Sequence, residues 1–370
     1  MKISFILPEH NLSGGNRIVA CHARELQARG HDVAIIAPPK PPASMKTRLK
    51  ALMGLKGWRH DNGADIAFYD NSAYQVKTLE THRPVAAGDI PDGDIVIATW
   101  WKTVEWVNEF PASKGVKVHF IQGYDATDVS PASKVDATWR LPFYKITVSH
   151  WLAEFGRKQL NVDVHRVIHN SVDHSIFYAP LRRRNDSPRV GFLFSDYPGK
   201  GTQTAIQVLK QLKHHFPQLE AVCFGNPSPG YRADLPEWIT FHYKPSQEKI
   251  REIYSGCDAW LYTATQDGFG LTPLEAMACR CPVVTTRVGA MPELIEDGYN
   301  GYLTHPGDFD AMIRKTGNLL GCPESQWQSL SDKAFNTAHG YSWSEAGELM
   351  EMVLEDALRS QAPGKKEIAA

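Results

Sequence analysis

Cysteine is scarce in this chain. Six in 370 residues are too few for a disulfide framework, and the one close pair, Cys279 and Cys281, has no second pair to complete a tetrahedral zinc site. They read as buried thiols. Long apolar runs are missing too: no window of eighteen or more apolar residues occurs, so a membrane-spanning helix is not expected. Met1-Lys2 leads into the short run Ile3-Ser4-Phe5-Ile6-Leu7-Pro8, which lacks a signal-type cleavage site, and a cytoplasmic location is the expectation. Nor does one sign of charge dominate. Lys and Arg number 40 against 41 Asp and Glu, a formal net charge of -1, and a nucleic-acid partner is not expected because phosphate neutralisation needs a basic excess.

What is present is a rhythm of short apolar runs alternating with longer helical patterns, the mark of parallel sheets flanked by helices. Ile3 to Leu7 reads as a strand, Ser13-Gly14-Gly15-Asn16 as a turn, and Ile18 to Arg29 as a helix closed by Gly30. Further strands are expected at Val33 to Ala37, Ile66 to Tyr69, Ile95 to Ala98, Val116 to Ile121 and Ile146 to Val148. A second series runs through Val190 to Phe194, Ala221 to Gly225, Ile239 to His242, Ala259 to Tyr262 and Val283 to Thr285. Between the two series, Leu181 to Pro188 is polar and breaker-rich, with the composition of a linker. The expected organisation is therefore a first domain over 1–180, a second over 181–340, and a C-terminal helix and tail over 341–370.

Two amphipathic stretches stand out. From Ser44 to His60, Lys46, Arg48, Lys50, Lys56 and Arg59 are interleaved with Met45, Leu49, Leu52, Met53, Leu55 and Trp58, and no acid appears. A basic amphipathic helix with this pattern can lie on an anionic membrane surface or pack its stripe on its own domain, and both readings are open. It is the main reason that the first 173 residues hold 21 basic against 18 acidic residues while the rest hold 19 against 23. The second stretch opens at Tyr341-Ser342-Trp343-Ser344-Glu345, with Ser342 and Glu345 spaced as a capping box and Ala346, Leu349, Met350, Val353 and Ala357 as the expected buried stripe.

The most specific segment is Asp267-Gly268-Phe269-Gly270-Leu271-Thr272-Pro273-Leu274-Glu275-Ala276-Met277-Ala278. It reads as a glycine turn after a strand, entering a helix with Thr272 at the N-cap and Pro273 at the first helical position. Free N–H groups and the helix dipole at such a start favour phosphate oxygens. Glu275 taken alone also reads as the capping-box partner of Thr272.

That segment resembles the E-x7-E signature of the retaining glycosyltransferases of family 4. The resemblance continues through Pro292-Glu293-Leu294-Ile295, Asp297 to Leu303 and Pro306-Gly307-Asp308, and upstream through Ile168-His169-Asn170-Ser171-Val172-Asp173 and Val148-Ser149-His150-Trp151-Leu152. It implies the GT-B architecture, two Rossmann-like α/β domains facing a cleft, with the C-terminal helix crossing back to the first domain. It also implies that Glu275 accepts from the ribose of a nucleotide-sugar donor, and that Gly268, Phe269, Gly270, Leu271 and Thr272 present N–H groups to the diphosphate and sugar. Lys200 would neutralise the leaving diphosphate, Gly14, Gly15 and Asn16 would close on the donor phosphates, and Tyr243 would mark the segment that holds the base.

Three positions depart from the pattern. Asp267 stands where a Glu is usual, Phe194 where many members have an arginine, and Gln122 follows the strand where many have a histidine, so that Gln122 is left to donate a hydrogen bond to the donor sugar. The resemblance places the acceptor on the first domain, with Trp100 and Trp101 as candidate stacking surfaces. A paired-carboxylate metal signature such as Asp-x-Asp is expected to be absent and no cofactor or metal is expected, Lys200 and the helix N-termini taking that part; Lys200, Asp267 and Glu275 are the expected catalytic set. The expected function is a retaining hexosyl or deoxyhexosyl transfer (EC 2.4) from a nucleotide-diphosphate sugar to a glycan or lipid-linked acceptor in cell-surface polysaccharide or glycoconjugate biosynthesis, in the cytoplasm or at the inner membrane face. A GT-B nucleotide-sugar epimerase, or a degenerate nucleotide-sugar-binding protein without turnover, is the alternative.

Overall fold

A computed structural model describes residues 1–9, 13–41, 75–127, 130–227, 231 and 235–361. The basic stretch 44–60 and the expected strand Ile66 to Tyr69 lie outside them. The chain forms two compact units, one made of Met1–Thr147, Ala153–Ile168 and Ser344–Ala370, the other of Val148–Leu152 and His169–Trp343.

The first unit holds a seven-stranded parallel sheet: β1 (Lys2–Ile6), β2 (Asp32–Ala37), β3 (Gln75–Thr78), β4 (Ile95–Ala98), β5 (Val116–Ile121), β6 (Tyr144–Thr147) and β7 (Arg166–Val167), in the order β3-β2-β1-β4-β5-β6-β7. Ile3 pairs with Val33 on one side and Ile95 on the other, and the strand interiors are sealed on both faces, as a doubly covered parallel sheet requires. The helix Gly14–Ala28 begins four residues before the expected Ile18. Ser13 is its N-cap, its hydroxyl accepting from Asn16 N at 3.3 Å, so Gly14 and Gly15 form a first helical turn and not a loop.

The second unit holds β8 (Arg189–Leu193), β9 (Glu220–Gly225), β10 (Ile239–Tyr243), β11 (Ala259–Tyr262), β12 (Val283–Thr286) and β13 (Tyr302–Thr304), all parallel, in the order β10-β9-β8-β11-β12-β13. Its core joins Val190, Phe192 and Ala259 to Leu209, Leu212, Leu319 and Trp327 from the covering helices. Both sheets therefore show the doubly wound 3-2-1-4-5-6 order, and the expected α/β class with two Rossmann-like domains holds.

Where a boundary near residue 180 was expected, the units divide between Ile168 and His169. The segment after His169 is tied into the second unit: Phe177 meets the Tyr254 ring, and the Ala179 carbonyl accepts from Arg280 Nε at 3.2 Å. Nor is Leu181 to Pro188 a free linker. Buried Asp258 accepts from Arg182, Asn185 and Arg189, while Arg184 donates to the carbonyls of Leu320 and Cys322, so the polar residues that resembled a linker strap the chain to its own unit.

From Ser344 onward the chain belongs to the first unit. In the helix Trp343–Gln361 the buried stripe is Ala346, Met350, Val353, Leu354 and Ala357, and Leu349 is 47% exposed. The correction is one of angle: positions 346, 350, 353, 354 and 357 fall on one face at helical spacing, and Leu349 is rotated off it. Arg29 donates to the Ser344 carbonyl, and His31 Nε2 lies 2.8 Å from Glu351. No helix among the described residues is long and apolar enough to cross a membrane.

Candidate functional site

In the second unit the chain winds outward from β8 in both directions, so β8 and β11 are neighbours whose following loops diverge. Crevices outside the carboxyl ends of such strands are where doubly wound folds hold ligands. Lys200 comes from the loop after β8 and Asp267 from the loop after β11. Lys200 Nζ donates to Asp267 Oδ2 at 2.5 Å, the Tyr262 hydroxyl donates to the same oxygen at 2.7 Å, and Phe269 N reaches Oδ1 at 3.4 Å. Burial pushes the Asp267 carboxyl up, but the Lys200 charge and these hydrogen bonds outweigh it and hold the group below its usual range. Burial, then the neighbouring carboxylate, raises the Tyr262 phenol well above its usual value.

The two loops are stitched together. Thr265 N donates to the Gly199 carbonyl at 2.8 Å and Thr263 Oγ1 to the Gly201 carbonyl at 2.8 Å. Gly201 sits at φ +72°, where an added Cβ would lie 2.0 Å from the Thr263 oxygen.

The helix after Asp267 is Leu271–Ala278, two residues longer at its start than expected, with Gly270 as N-cap at φ 98°. Thr272 is therefore inside the first turn, Pro273 is the third helical residue, and Glu275 does not close a capping box on Thr272. The buried Glu275 carboxylate instead accepts from the Tyr254 hydroxyl at 2.9 Å. Thr272 Oγ1 is buried without a hydrogen-bond partner among the described residues. The first-turn N–H groups of Leu271 and Thr272 have no intrahelical acceptor, so the helix start is a donor-rich end behind the glycine turn. The turn itself is pinned: the Gly268 carbonyl accepts from Ser149 Oγ at 2.9 Å and Trp151 Nε1 at 3.0 Å, and the buried Phe269 offers its carbonyl to Ala290 N at 2.8 Å.

Other positions fall outside this cluster. Tyr243, 44% exposed, ends the edge strand β10 beside Phe241 and Lys244. Phe194 is core, its ring against Phe241 and Tyr231. His150, His169 and Glu293 form the one group among the described residues with metal-ligand atoms within 4.8 Å of one another. Glu293 is already committed there: it accepts from His169 Nε2 at 2.7 Å and from the N–H groups of His150 and Trp151 at 3.1 Å each, capping the helix His150–Phe155. Two Asp-x-Asp spacings do occur, against the sequence expectation, and both are structural. Asp92 pairs with Lys114 and Asp94 accepts from Lys2 N, while Asp308 caps the helix Phe309–Gly321.

In the first unit, the loops after β1, β4 and β5 enclose a cavity of about 740 Å³ lined by Gly15, Asn16, Trp100, Gln122 and Asp125 among others. It too lies at the switch point of its sheet. Trp100 lines it, whereas Trp101 is buried with its ring 5.5 Å from Trp100. His119, on β5, is buried, and desolvation followed by the Lys145 charge lowers it to about 3, which makes it a neutral core side chain. Asp125 was missed as a site residue by sequence reasoning; its position three residues after Gln122 at a strand exit was the available signal.

Residues 178–334 match the profile of the family Glycosyl transferases group 1. Among curated proteins, N-acetyl-alpha-D-glucosaminyl L-malate synthase of Bacillus anthracis is 32% identical over 120 residues, which cover 32% of this chain and 31% of that one. D-inositol 3-phosphate glycosyltransferase of Stackebrandtia nassauensis is 25% identical over 195 residues, 48% and 44% of the two chains. The chain thus spans less than half the length of these relatives in the matched regions. Among solved structures, sucrose-phosphate synthase from Thermosynechococcus elongatus has a TM-score of 0.72 at 16% identity, covering 98% of this chain and all of that one. Anabaena HepE in complex with UDP-glucose has a TM-score of 0.71 at 16% identity, covering 96% of this chain and 100% of that one. The second unit thus contains the segment that matches a glycosyl transferases group 1 domain, and the solved structures share the fold of the whole chain.

Proposed function

We propose that the chain moves a sugar from a nucleotide-diphosphate sugar to a glycan or lipid-linked acceptor, with retention and without a metal, as a member of family 4. The observation that carries this reading is the convergence of Lys200, Asp267 and the donor-rich start of Leu271–Ala278 at one switch point, with buried Glu275 on the same helix.

In that reading the diphosphate lies against the N–H groups of Leu271 and Thr272 and takes a hydrogen bond from Lys200. As the bond from the anomeric carbon to the phosphate oxygen breaks, negative charge grows on the leaving group, and preorganised donors stabilise it. The acceptor oxygen bonds to the same face of the sugar and its proton passes to the departing phosphate, so no protein nucleophile takes part. Asp267 meets a donor-sugar hydroxyl, and Glu275 the ribose. Tyr243 serves the base.

Lys200→Ala and Glu275→Ala are each expected to lower transfer by two or more orders of magnitude, the scale of one lost transition-state contact. Near-normal turnover in both sinks the assignment. The HepE likeness makes UDP the first base to try, in a thermal-shift panel with GDP, ADP and dTDP, since a ligand bound to the native state raises its stability by mass action. Lys46 to Arg59 would hold the enzyme at an anionic cytoplasmic leaflet, where the acceptor and the cell-surface polysaccharide pathway it feeds are found. Charge-removing substitutions there should release it from phosphatidylserine vesicles.

A further inference from the structure

His150, His169 and Glu293 meet from three places in the second unit: the segment Val148–Leu152, the first residue of the stretch His169–Trp343, and the short helix Met291–Leu294. Among the described residues no other trio of His, Cys, Asp or Glu brings one ligand atom each within 4.8 Å of the others. His174 and His339 stack with ring centres 4.2 Å apart, but no third ligand group joins them. The trio is also held in shape. The His169 ring centre lies 6.1 Å from Phe269, 5.9 Å from Tyr341 and 5.4 Å from His150, and the N–H groups of His150 and Trp151 orient the Glu293 carboxylate. Metal sites depend on such hydrogen bonds behind their ligands to fix ligand orientation.

Three hydrogen bonds do not exhaust Glu293. Its Oε2 accepts from His150 N and His169 Nε2 and its Oε1 from Trp151 N, while an ionised carboxylate has about four acceptor positions. One position is left on Oε1. A second opens on Oε2 when a cation replaces the hydrogen that His169 Nε2 shares with it, the ring's remaining proton then residing on Nδ1. Tetrahedral bonds of about 2.1 Å set two ligand atoms about 3.4 Å apart, and a small rotation of the partly exposed His169 side chain opens the present 2.7 Å to that. Among the described residues the exposed His150 imidazole meets the His169 ring and forms no hydrogen bond of its own, so it can turn toward the pair.

We propose that His150, His169 and Glu293 bind a divalent transition-metal ion of the zinc class, with water in the open fourth position. Two imidazole nitrogens and one carboxylate oxygen suit zinc, cobalt or nickel, whereas magnesium and calcium call for oxygen ligands. The ion takes no part in sugar transfer. It fastens the segment Val148–Leu152 to the rest of its unit, and Ser149 Oγ and Trp151 Nε1 of that segment hold the Gly268 carbonyl of the glycine turn. The site stands apart from the nucleotide-sugar reading, since none of its three ligands is assigned to the donor.

The test uses the full chain, stripped with a chelator and titrated calorimetrically with zinc, cobalt or magnesium chloride alone. One equivalent of zinc is expected to bind, and magnesium is not. Losing even a residue that only orients a ligand costs metal sites about 10–100-fold, so His150→Ala and His169→Ala should each weaken zinc binding at least about tenfold. The His150 ring is exposed, and that variant should fold as the wild type does. His339→Ala, at an exposed histidine outside the trio, should bind zinc normally. With cobalt, the visible bands of a four-coordinate nitrogen and oxygen site should appear without a cobalt–sulfur charge-transfer band.

Bound zinc should also raise the unfolding temperature by mass action and slow hydrogen exchange at the His150 and Trp151 amides, in the wild type and not in His150→Ala. No stoichiometric zinc, zinc bound with wild-type strength by His150→Ala, an equal loss in His339→Ala, a cobalt–sulfur band, or magnesium bound as tightly as zinc overturns the site. Zinc that binds through the trio but leaves the two amides exchanging at an unchanged rate overturns its role as a fastener. A UDP thermal shift measured on the same proteins reports on the donor reading, and its absence counts against that reading and not against the metal site.

Discussion

Lys200 Nζ lies 2.5 Å from Asp267 Oδ2, so the cation expected at the diphosphate and the acid expected at the sugar are held as one unit. Their side chains are 29% and 17% exposed, and the sequence separates them by 67 residues. Lys200→Met should destabilise the protein by about 1–3 kcal/mol, chiefly by leaving a desolvated carboxylate without its counter-charge. Combined with Asp267→Asn, the loss should fall short of the sum by about 0.5–3 kcal/mol in urea unfolding. Additive losses would show that the two groups are not coupled.

The same pair sets a pH dependence. Asp267 is held below the ordinary aspartate value of 3.8, so its contribution is fully present above that value and is lost as pH falls through the lower native one. In acid unfolding below about pH 4, Asp267→Asn should show a shallower loss of stability than wild type, and parallel curves would contradict the assignment.

Gly201→Ala should cost more than about 1 kcal/mol from its left-handed backbone alone, with a further loss from the collision with the Thr263 carbonyl. Calorimetry should show the lower unfolding temperature, and transfer should fall with it because Lys200 is the preceding residue. An unchanged melting temperature would mean that the two loops are not stitched as described.

Tyr254→Phe removes a hydroxyl that donates to the Glu275 carboxylate. A neutral hydrogen bond is worth about 0.5–1.5 kcal/mol, so UDP affinity is expected to drop roughly two- to tenfold with little change in fold. Titration calorimetry measures it, and unaltered affinity would detach Tyr254 from the site.

Glu293→Ala strips the cap from the helix His150–Phe155, at a cost of about 0.5–2 kcal/mol. Hydrogen exchange at the His150 and Trp151 amides should accelerate relative to the strand amides of β11. Equal protection in both proteins would rule out the capping role.

The strands that sequence reading recovers are the interior ones. β1, β4, β8 and β11 are covered on both faces, and their continuous apolar runs announce them. Among the described residues, the strands it overlooks are edge strands: Gln75–Thr78, Arg166–Val167 and Tyr302–Thr304 each end a sheet, where one side lacks a neighbour and polar residues such as Lys77 and Arg166 are tolerated. Leu349 was misplaced because Leu354 offers an equivalent apolar position, and only the partner surface decides which of the two turns inward. The strap at 181–188 was read as a linker because arginine and asparagine look alike in either role until Asp258 is found buried beneath them.

Periodicity and the glycine turn were sufficient to establish two parallel α/β halves, because local backbone preference and burial pattern are written along the chain, while Lys200, Asp267 and Glu275 were singled out by the resemblance to family 4. Which of these residues meet was decided elsewhere. Lys200 reaches Asp267, Glu275 accepts from Tyr254, and Gln122 shares a cavity with Asp125 and Trp100, because the 3-2-1-4-5-6 winding brings the loops after non-consecutive strands to one end of a sheet. Strand order is a property of the packed sheet, and no stretch of sequence short enough to read locally contains it.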